Sequence, residues 1–134
     1  MKLYDFAPAP NPRRVRIFLA EKGIQVETVQ VNLRSREHFD PAFRGKVPQL
    51  IVPALELDDG TILTESTAIC RYFEALQPQP ALFGKSPAEA GTIEMWNRRI
   101  EIDGFLAAAD TLRNSSERMK DRAVAGPVNY AQIP

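Results

Sequence analysis

The chain has 134 residues, 44% of them hydrophobic and 25% charged, the make-up of one ordinary globular domain or of one small domain plus part of another. Seventeen basic residues balance seventeen acidic ones, and the parts before and after Gly84 are each balanced too, so binding to a nucleic-acid phosphate backbone is not expected. No apolar run approaches the ~20 residues that span a bilayer, and Lys2-Leu3-Tyr4-Asp5 opens no long apolar stretch, so neither a membrane span nor a secretory leader is expected.

Lys2 to Asp5 reads as a short first strand, followed by the proline-rich turn Pro8-Ala9-Pro10-Asn11-Pro12. Asn11 suits a helix N-cap and Pro12 the first helical position. The helix then carries Val15, Phe18, Leu19 and Lys22 before Gly23, which can take the left-handed C-terminal cap. Val26 to Val31 is rich in β-branched residues and reads as a second strand, so a strand–helix–strand opening implies a parallel pair. Residues 34–46 are polar, with Asp40-Pro41 opening a short helix.

Ala54 to Leu57 and Thr61 to Leu63 flank Asp59-Gly60, a hairpin signal for a type I′ turn. Ile69, Tyr72, Phe73 and Leu76 then follow the spacing of an amphipathic helix. Gln77-Pro78-Gln79-Pro80 is a linker, and Ser86-Pro87-Ala88-Glu89 is a capping box that starts a new helix. Ala90, Ile93, Trp96, Ile100, Ala107 and Leu112 carry its stripe to about Arg113, as core or dimer interface. Two domains are therefore expected, at 1–82 and 86–134.

Chemistry is constrained by scarcity. Cys70 is the single cysteine, which excludes an intrachain disulfide, a dithiol centre and a multi-cysteine zinc site. Any Ser–His or Cys–His pair would have to use the single histidine, His38. A cytoplasmic protein with no metal is the expectation. Cys70 reads as a buried structural thiol, and Arg13, Arg14 and Arg16 as a solvated helix face. Asn114-Ser115-Ser116 fits a glycosylation pattern that nothing else supports.

Three segments in order carry a resemblance: Leu3 to Val15 with its proline-rich turn, Val52-Pro53-Ala54-Leu55 leading to the Asp58-Asp59-Gly60 hairpin, and Leu63-Thr64-Glu65-Ser66-Thr67-Ala68-Ile69 at a helix start. The chain resembles the cytosolic glutathione transferase family. The likeness covers roughly its first two thirds, and the opening turn is most similar to bacterial nu-class members. It implies an α/β thioredoxin-like glutathione-binding domain followed by the beginning of an all-helical C-terminal domain. Several more helices would follow in that family, so the chain looks cut short.

The resemblance also assigns roles. Val52-Pro53 corresponds to the family's cis-proline turn, which offers the backbone N–H and C=O of Val52 to the cysteinyl unit of glutathione. Val47-Pro48 is the competitor, but only Pro53 lies twelve residues before Glu65, as the family's spacing requires. Glu65 would take the γ-glutamyl amine and Ser66 its carboxylate, at a helix N-terminus that favours an anion. Either residue also suits an ordinary helix start. His38, fourteen residues before Val52, corresponds to a contact for the glycine carboxylate; the alternatives are a solvated loop histidine, or Arg44 or Lys46 in its place. Where serine-type members carry the hydroxyl that supports the thiolate, this chain has Ala9, so Asn11 and the helix-start N–H groups are left to do so. Asp103 matches an acidic residue that in some classes reaches a partner subunit's glutathione.

The expected activity is thus a glutathione transferase that activates the thiol of its co-substrate for attack on a small electrophile, in a detoxifying, dimeric enzyme. The alternatives are glutathione-dependent disulfide or peroxide reduction, and a non-catalytic glutathione-binding module, which Ala9 motivates.

Overall fold

In this structure, a computed structural model that describes residues 1–117, the first strand, β1 (Lys2–Asp5), is buried on both faces. It pairs in parallel with β2 (Glu27–Gln30) and antiparallel with β3 (Ala54–Glu56), which pairs antiparallel with β4 (Ile62–Thr64). The sheet order is β2-β1-β3-β4, so β1 is central and its side chains are covered above and below. Helix α1 (Pro10–Lys22) connects β1 to β2, α2 (Pro41–Lys46) lies between β2 and β3, and α3 (Ser66–Leu76) follows β4. The β-α-β-α-β-β-α order and the parallel first pair are as expected of a thioredoxin-like unit.

Alternation along β1 divides the core. Leu3 faces the same side as its cross-strand partner Leu55, and Tyr4 faces the other with Ala54. On the Tyr4 side a cluster of Val31, Phe43, Val47, Val52 and Ala54 closes over the sheet, with the Tyr4 and Phe43 rings edge-to-face at 5.6 Å. The core side chains that the helices bury include Val15 and Leu19 of α1, and Ile69, Cys70 and Phe73 of α3.

Gly23 ends α1 with φ of 66°, its N–H donating to Ala20 O while Ile24 N–H donates to Leu19 O. That is the paired-bond helix terminus that a left-handed glycine permits. The hairpin turn differs from the expected two-residue form. Gly60 N–H donates to Leu57 O and Leu57 N–H to Thr61 O, and only Gly60 among Asp58, Asp59 and Gly60 has positive φ. Asp58-Asp59 therefore make an ordinary turn, and Gly60 alone supplies the left-handed step; a type I′ turn would have forced Asp59 there as well.

Lys22 departs from its ordinary surface place. It is buried, with its ammonium 2.5 Å from Glu74 Oε2 and donating to the carbonyls of Gln77 and Pro80. The Gln77 side chain answers by donating to Lys22 O at 2.7 Å. One cation thus fastens the end of α1 to the end of α3 and to the linker.

The chain divides into two compact units, one Met1–Leu82 and the other beginning at Phe83. In the second, α4 (Pro87–Arg99) runs into a π-helical segment, Ile100–Leu106, and then α5 (Ala107–Ser115). The capping box at its start is shifted by one residue. Ser86 Oγ accepts from Glu89 N–H as expected, but the Glu89 carboxylate accepts from Lys85 N–H rather than from Ser86. Gly84, with φ of 93°, has no room for a side chain, since a Cβ would lie 2.7 Å from Ala90 N.

The expected apolar stripe is not core. Trp96, Ile100 and Leu112 are 52%, 61% and 57% exposed. No residue of α4, of the π-helical segment or of α5 is buried, so none of their faces meets a core among the described residues.

The Lys22 fastening yields a stability prediction. Removing one partner of a buried pair strands the other charge, so Lys22→Ala should lower the unfolding free energy by about 3–5 kcal/mol in denaturant titration. A loss below about 1 kcal/mol would show that Lys22 is a surface residue in solution.

Candidate functional site

Strand registers bring three separate segments to one end of the sheet. Ala54 lies opposite both Tyr4 and Thr64. Two residues further on from each, in the direction that leaves the paired strands, come Val52, Phe6 and Ser66. The turn after β1, the loop before β3 and the start of α3 therefore gather beyond the carboxyl end of β1. This is where open α/β sheets place their ligand sites.

The turn after β1 is braced from below. Ala9 N–H donates to Phe6 O, Ala7 N–H to Gln30 Oε1, and Ala7 O accepts from Arg16 Nη2 at 2.8 Å. Gln30 Nε2 also donates to Asp5 Oδ2, and Arg16 Nη1 stands 3.7 Å from the same oxygen. Asp5 is 1% exposed, so its carboxylate is a buried peg between strand, helix and turn. The N-cap of α1 is Ala9, with φ of −81° and no side-chain cap bond. This corrects the expectation for Asn11. Pro10, with its fixed φ, takes the first helical position, and Asn11 is the second helical residue, exposed on the opening turn.

Val52–Pro53 is cis and Val47–Pro48 is trans, as the motif spacing required. A second cis bond, Gln79–Pro80, was not anticipated. Val52 and Pro53 are buried and immediately precede β3, outside its paired residues.

At the third segment, Glu65 is exposed and occupies the N-cap position of α3 with φ of 67° and ψ of 115°. A glutamate held at positive φ costs of order 1–3 kcal/mol, a cost met more often at functional sites than elsewhere. Ser66 is the first helical residue, not the cap, and is 7% exposed. Arg14 Nη1 donates to Ser66 Oγ at 3.0 Å and to Thr67 Oγ1 at 3.1 Å. The solvated-face reading of the arginines is therefore corrected: Arg14 and Arg16 both turn inward, and only Arg13 is exposed. The signal was present, since Arg14, Phe18 and Lys22 are spaced four apart and lie along one ridge of α1.

His38 is not a solvated loop residue. It is 5% exposed in a short 3₁₀ turn, Glu37–Phe39, with its ring 4.2 Å from that of Phe39. Of its rivals, Arg44 is exposed. Lys46 is committed to Glu56 at 2.8 Å and to Tyr4 Oη at 3.1 Å, and the Tyr4 hydroxyl also donates to Glu56. Hydrogen bonds from Lys46 and Tyr4 hold the Glu56 carboxyl below its ordinary 4.5, and the same contacts raise Lys46. A depressed carboxyl stabilises the fold above its unfolded pKa and loses that contribution as pH falls through its folded one. The stability difference between the native chain and Glu56→Gln should thus be constant above about pH 5 and shrink in more acidic solution. A difference that grows on acidification would contradict the contact.

Residues 3–81 match the family model described as glutathione S-transferase, N-terminal domain. The chain belongs to this family. It is 48% identical over 105 residues to glutathione S-transferase 2 of Saccharomyces cerevisiae, a match covering 77% of this chain and 45% of the yeast protein. The crystal structure of a glutathione S-transferase domain-containing protein from Marinobacter aquaeolei VT8 is 36% identical with a TM-score of 0.85, covering 98% of this chain and 65% of that one. A glutathione transferase homologue from sulfitobacter, solved with bound glutathione, is 26% identical with a TM-score of 0.76, covering 92% of this chain and 61% of that one. The chain spans about half the length of the curated relatives it matches.

In this glutathione S-transferase domain the single thiol is a bystander. Cys70 is buried on the inner face of α3, one turn below Ser66, and burial pushes its pKa up to about 11 against a smaller opposing effect of Arg14. No thiolate nucleophile is available there near neutral pH. Among the described residues there is no cluster of three or more His, Cys, Asp or Glu side chains placed for a metal, and no helix long and apolar enough to cross a membrane. Modification of the folded protein by a soluble disulfide reagent should be slow at pH 8, faster toward pH 11, and immediate in denaturant. Rapid reaction of the native state at pH 8 would show Cys70 to be accessible.

Proposed function

We propose that the chain binds reduced glutathione at the end of the sheet beyond β1 and activates its thiol for attack on a small electrophile. The observation that carries this reading is the start of α3. Exposed Glu65 at positive φ and a nearly buried Ser66 hydroxyl meet the unpaired N–H groups of the helix there, a setting for an amine and a carboxylate side by side. Glu65 would take the γ-glutamyl amine and Ser66 the carboxylate. The backbone of Val52 would hold the cysteinyl unit as an added strand would, with Pro53 setting its direction. His38 is the proposed contact for the glycine carboxylate. The thiol would lie over the opening turn of α1, where the Asn11 amide and helix-start N–H groups favour the thiolate.

Glutathione is a co-substrate in this reading, and no metal takes part. The electrophile, a homodimeric assembly with Asp103 reaching the partner's glutathione, and a cytoplasmic, detoxifying role are proposals of the same standing. So is a division of labour between residues 1–82 and the helices of 86–134. A non-catalytic binding module is the second reading, favoured by Ala9, which offers no donor at the N-cap of α1. Disulfide or peroxide reduction by bound glutathione is the third, since it needs no protein cysteine.

Calorimetry and thiol titration separate these readings. Ser66→Ala and Glu65→Gln should each weaken glutathione binding about tenfold or more, the effect of losing one hydrogen bond to a charged group. Bound glutathione should have a thiol pKa below its free value, and Asn11→Ala should raise it. Ala9→Ser should then speed conjugation of a model electrophile, by up to about 10²–10³-fold for a well-placed donor. Binding without a pKa shift and without turnover would leave only the binding module. Unchanged affinity in both α3 variants would overturn the site.

A further inference from the structure

Hydroxyls inside the helices of this chain behave in one way, and those at the start of α3 in another. Thr92, Thr111 and Ser115 each donate their proton back to the carbonyl four residues earlier, namely Ala88, Ala107 and Thr111. This is the usual fate of a helical Ser or Thr. Ser66 and Thr67 are the first two residues of α3, so the carbonyls four residues before them, on Ile62 and Leu63, belong to β4 and not to a preceding helical turn. Their oxygens instead accept from a single nitrogen of Arg14, at 3.0 and 3.1 Å.

A guanidinium only donates. Each hydroxyl must therefore spend a lone pair on Arg14 and turn its own proton elsewhere. At Ser66 and Thr67 that leaves two O–H donors beside the unpaired N–H groups at the start of α3. Among the described residues no carboxylate pairs with Arg14, so its charge adds to the positive end of the helix rather than being cancelled.

We infer that Arg14 is a positioning residue for an α-amino-acid carboxylate at the start of α3: it fixes the Ser66 and Thr67 hydroxyls as donors and supplies the charge that the bound carboxylate balances. This rests on the glutathione reading above and deepens it by naming the group that prepares Ser66. Lysine cannot replace it fully. An ammonium is a point charge that rotates on a flexible stem, whereas the two N–H bonds of Arg14 Nη1 are held in the guanidinium plane and point at the two acceptors in fixed directions.

The test uses the whole chain and two probes, reduced glutathione and its analogue lacking only the γ-glutamyl α-carboxylate. By calorimetry Arg14→Met should bind glutathione about tenfold more weakly than the native chain, and bind the analogue as well as the native chain does. The double variant Arg14→Met, Ser66→Ala should lose no more affinity than the larger single loss, because the two residues act through one hydrogen-bonded unit. Arg14→Lys should fall between native and Arg14→Met for glutathione and match native for the analogue; it carries the comparison if Arg14→Met does not fold. Equal weakening toward both probes would make Arg14 a merely structural residue and overturn the inference. So would additive losses in the double variant, or native affinity in Arg14→Met. A native chain that binds neither probe would overturn the glutathione reading itself, and this inference with it.

Discussion

Two cations on α1 hold α1 and α3 in register. Arg14 reaches Ser66 and Thr67 at the start of α3, and Lys22 reaches Glu74 near its end. The offset between Arg14 and Ser66 is the same as that between Lys22 and Glu74, 52 residues, as for two helices running side by side in one direction. The two fastenings are eight residues apart, roughly 12 Å of helix at ~1.5 Å per residue. Between them lie buried side chains of both helices: Val15 and Leu19 on one, Ile69, Cys70 and Phe73 on the other. Apolar attraction is non-directional, whereas these polar contacts hold only within a short distance and a narrow angle. The position of Ser66, and with it the proposed carboxylate contact, depends on this polar register.

The opening turn is held by a second polar device of different character. Asp5 is a buried carboxylate that meets Gln30 from β2 and Arg16 from α1, and both of these also bind the backbone of Ala7. Removing any one would free the others, so the turn is specified by a closed set of contacts rather than by its own residues. Ala9 contributes no side-chain bond at all. The turn is therefore braced where it meets the strand and offers no side-chain donor at the N-cap of α1, where the proposed thiol would lie. That combination suits binding more than proton transfer, and it is why the thiol pKa of bound glutathione separates the functional readings.

The second unit has a different physical status. Its helices carry apolar side chains at Trp96, Ile100 and Leu112 that remain exposed, and one helix with one broad stripe cannot bury itself. The chain spans about half the length of the curated relatives it matches. In contrast, the unit that the family model matches closes its own core on both faces of the sheet, around Leu3 on one side and Tyr4 on the other.

Much of the first unit was written in its sequence. β-branched runs, the amphipathic period of Ile69 to Leu76, and the glycines at 23 and 60 identified the elements, because each is a local preference of the backbone. Motif order identified the family and singled out Pro53 over Pro48. The tertiary structure alone decided which polar residues turn inward. Arg14 and Arg16 look like part of a basic face with Arg13 in one dimension, nothing local pairs Lys22, and Asn11 looks like a helix cap. Their roles depend on partners such as Ser66, Asp5 and Glu74, which lie 11 to 52 residues away along the chain. A hydrogen bond needs its partner within about 3 Å, and no local pattern encodes that distance.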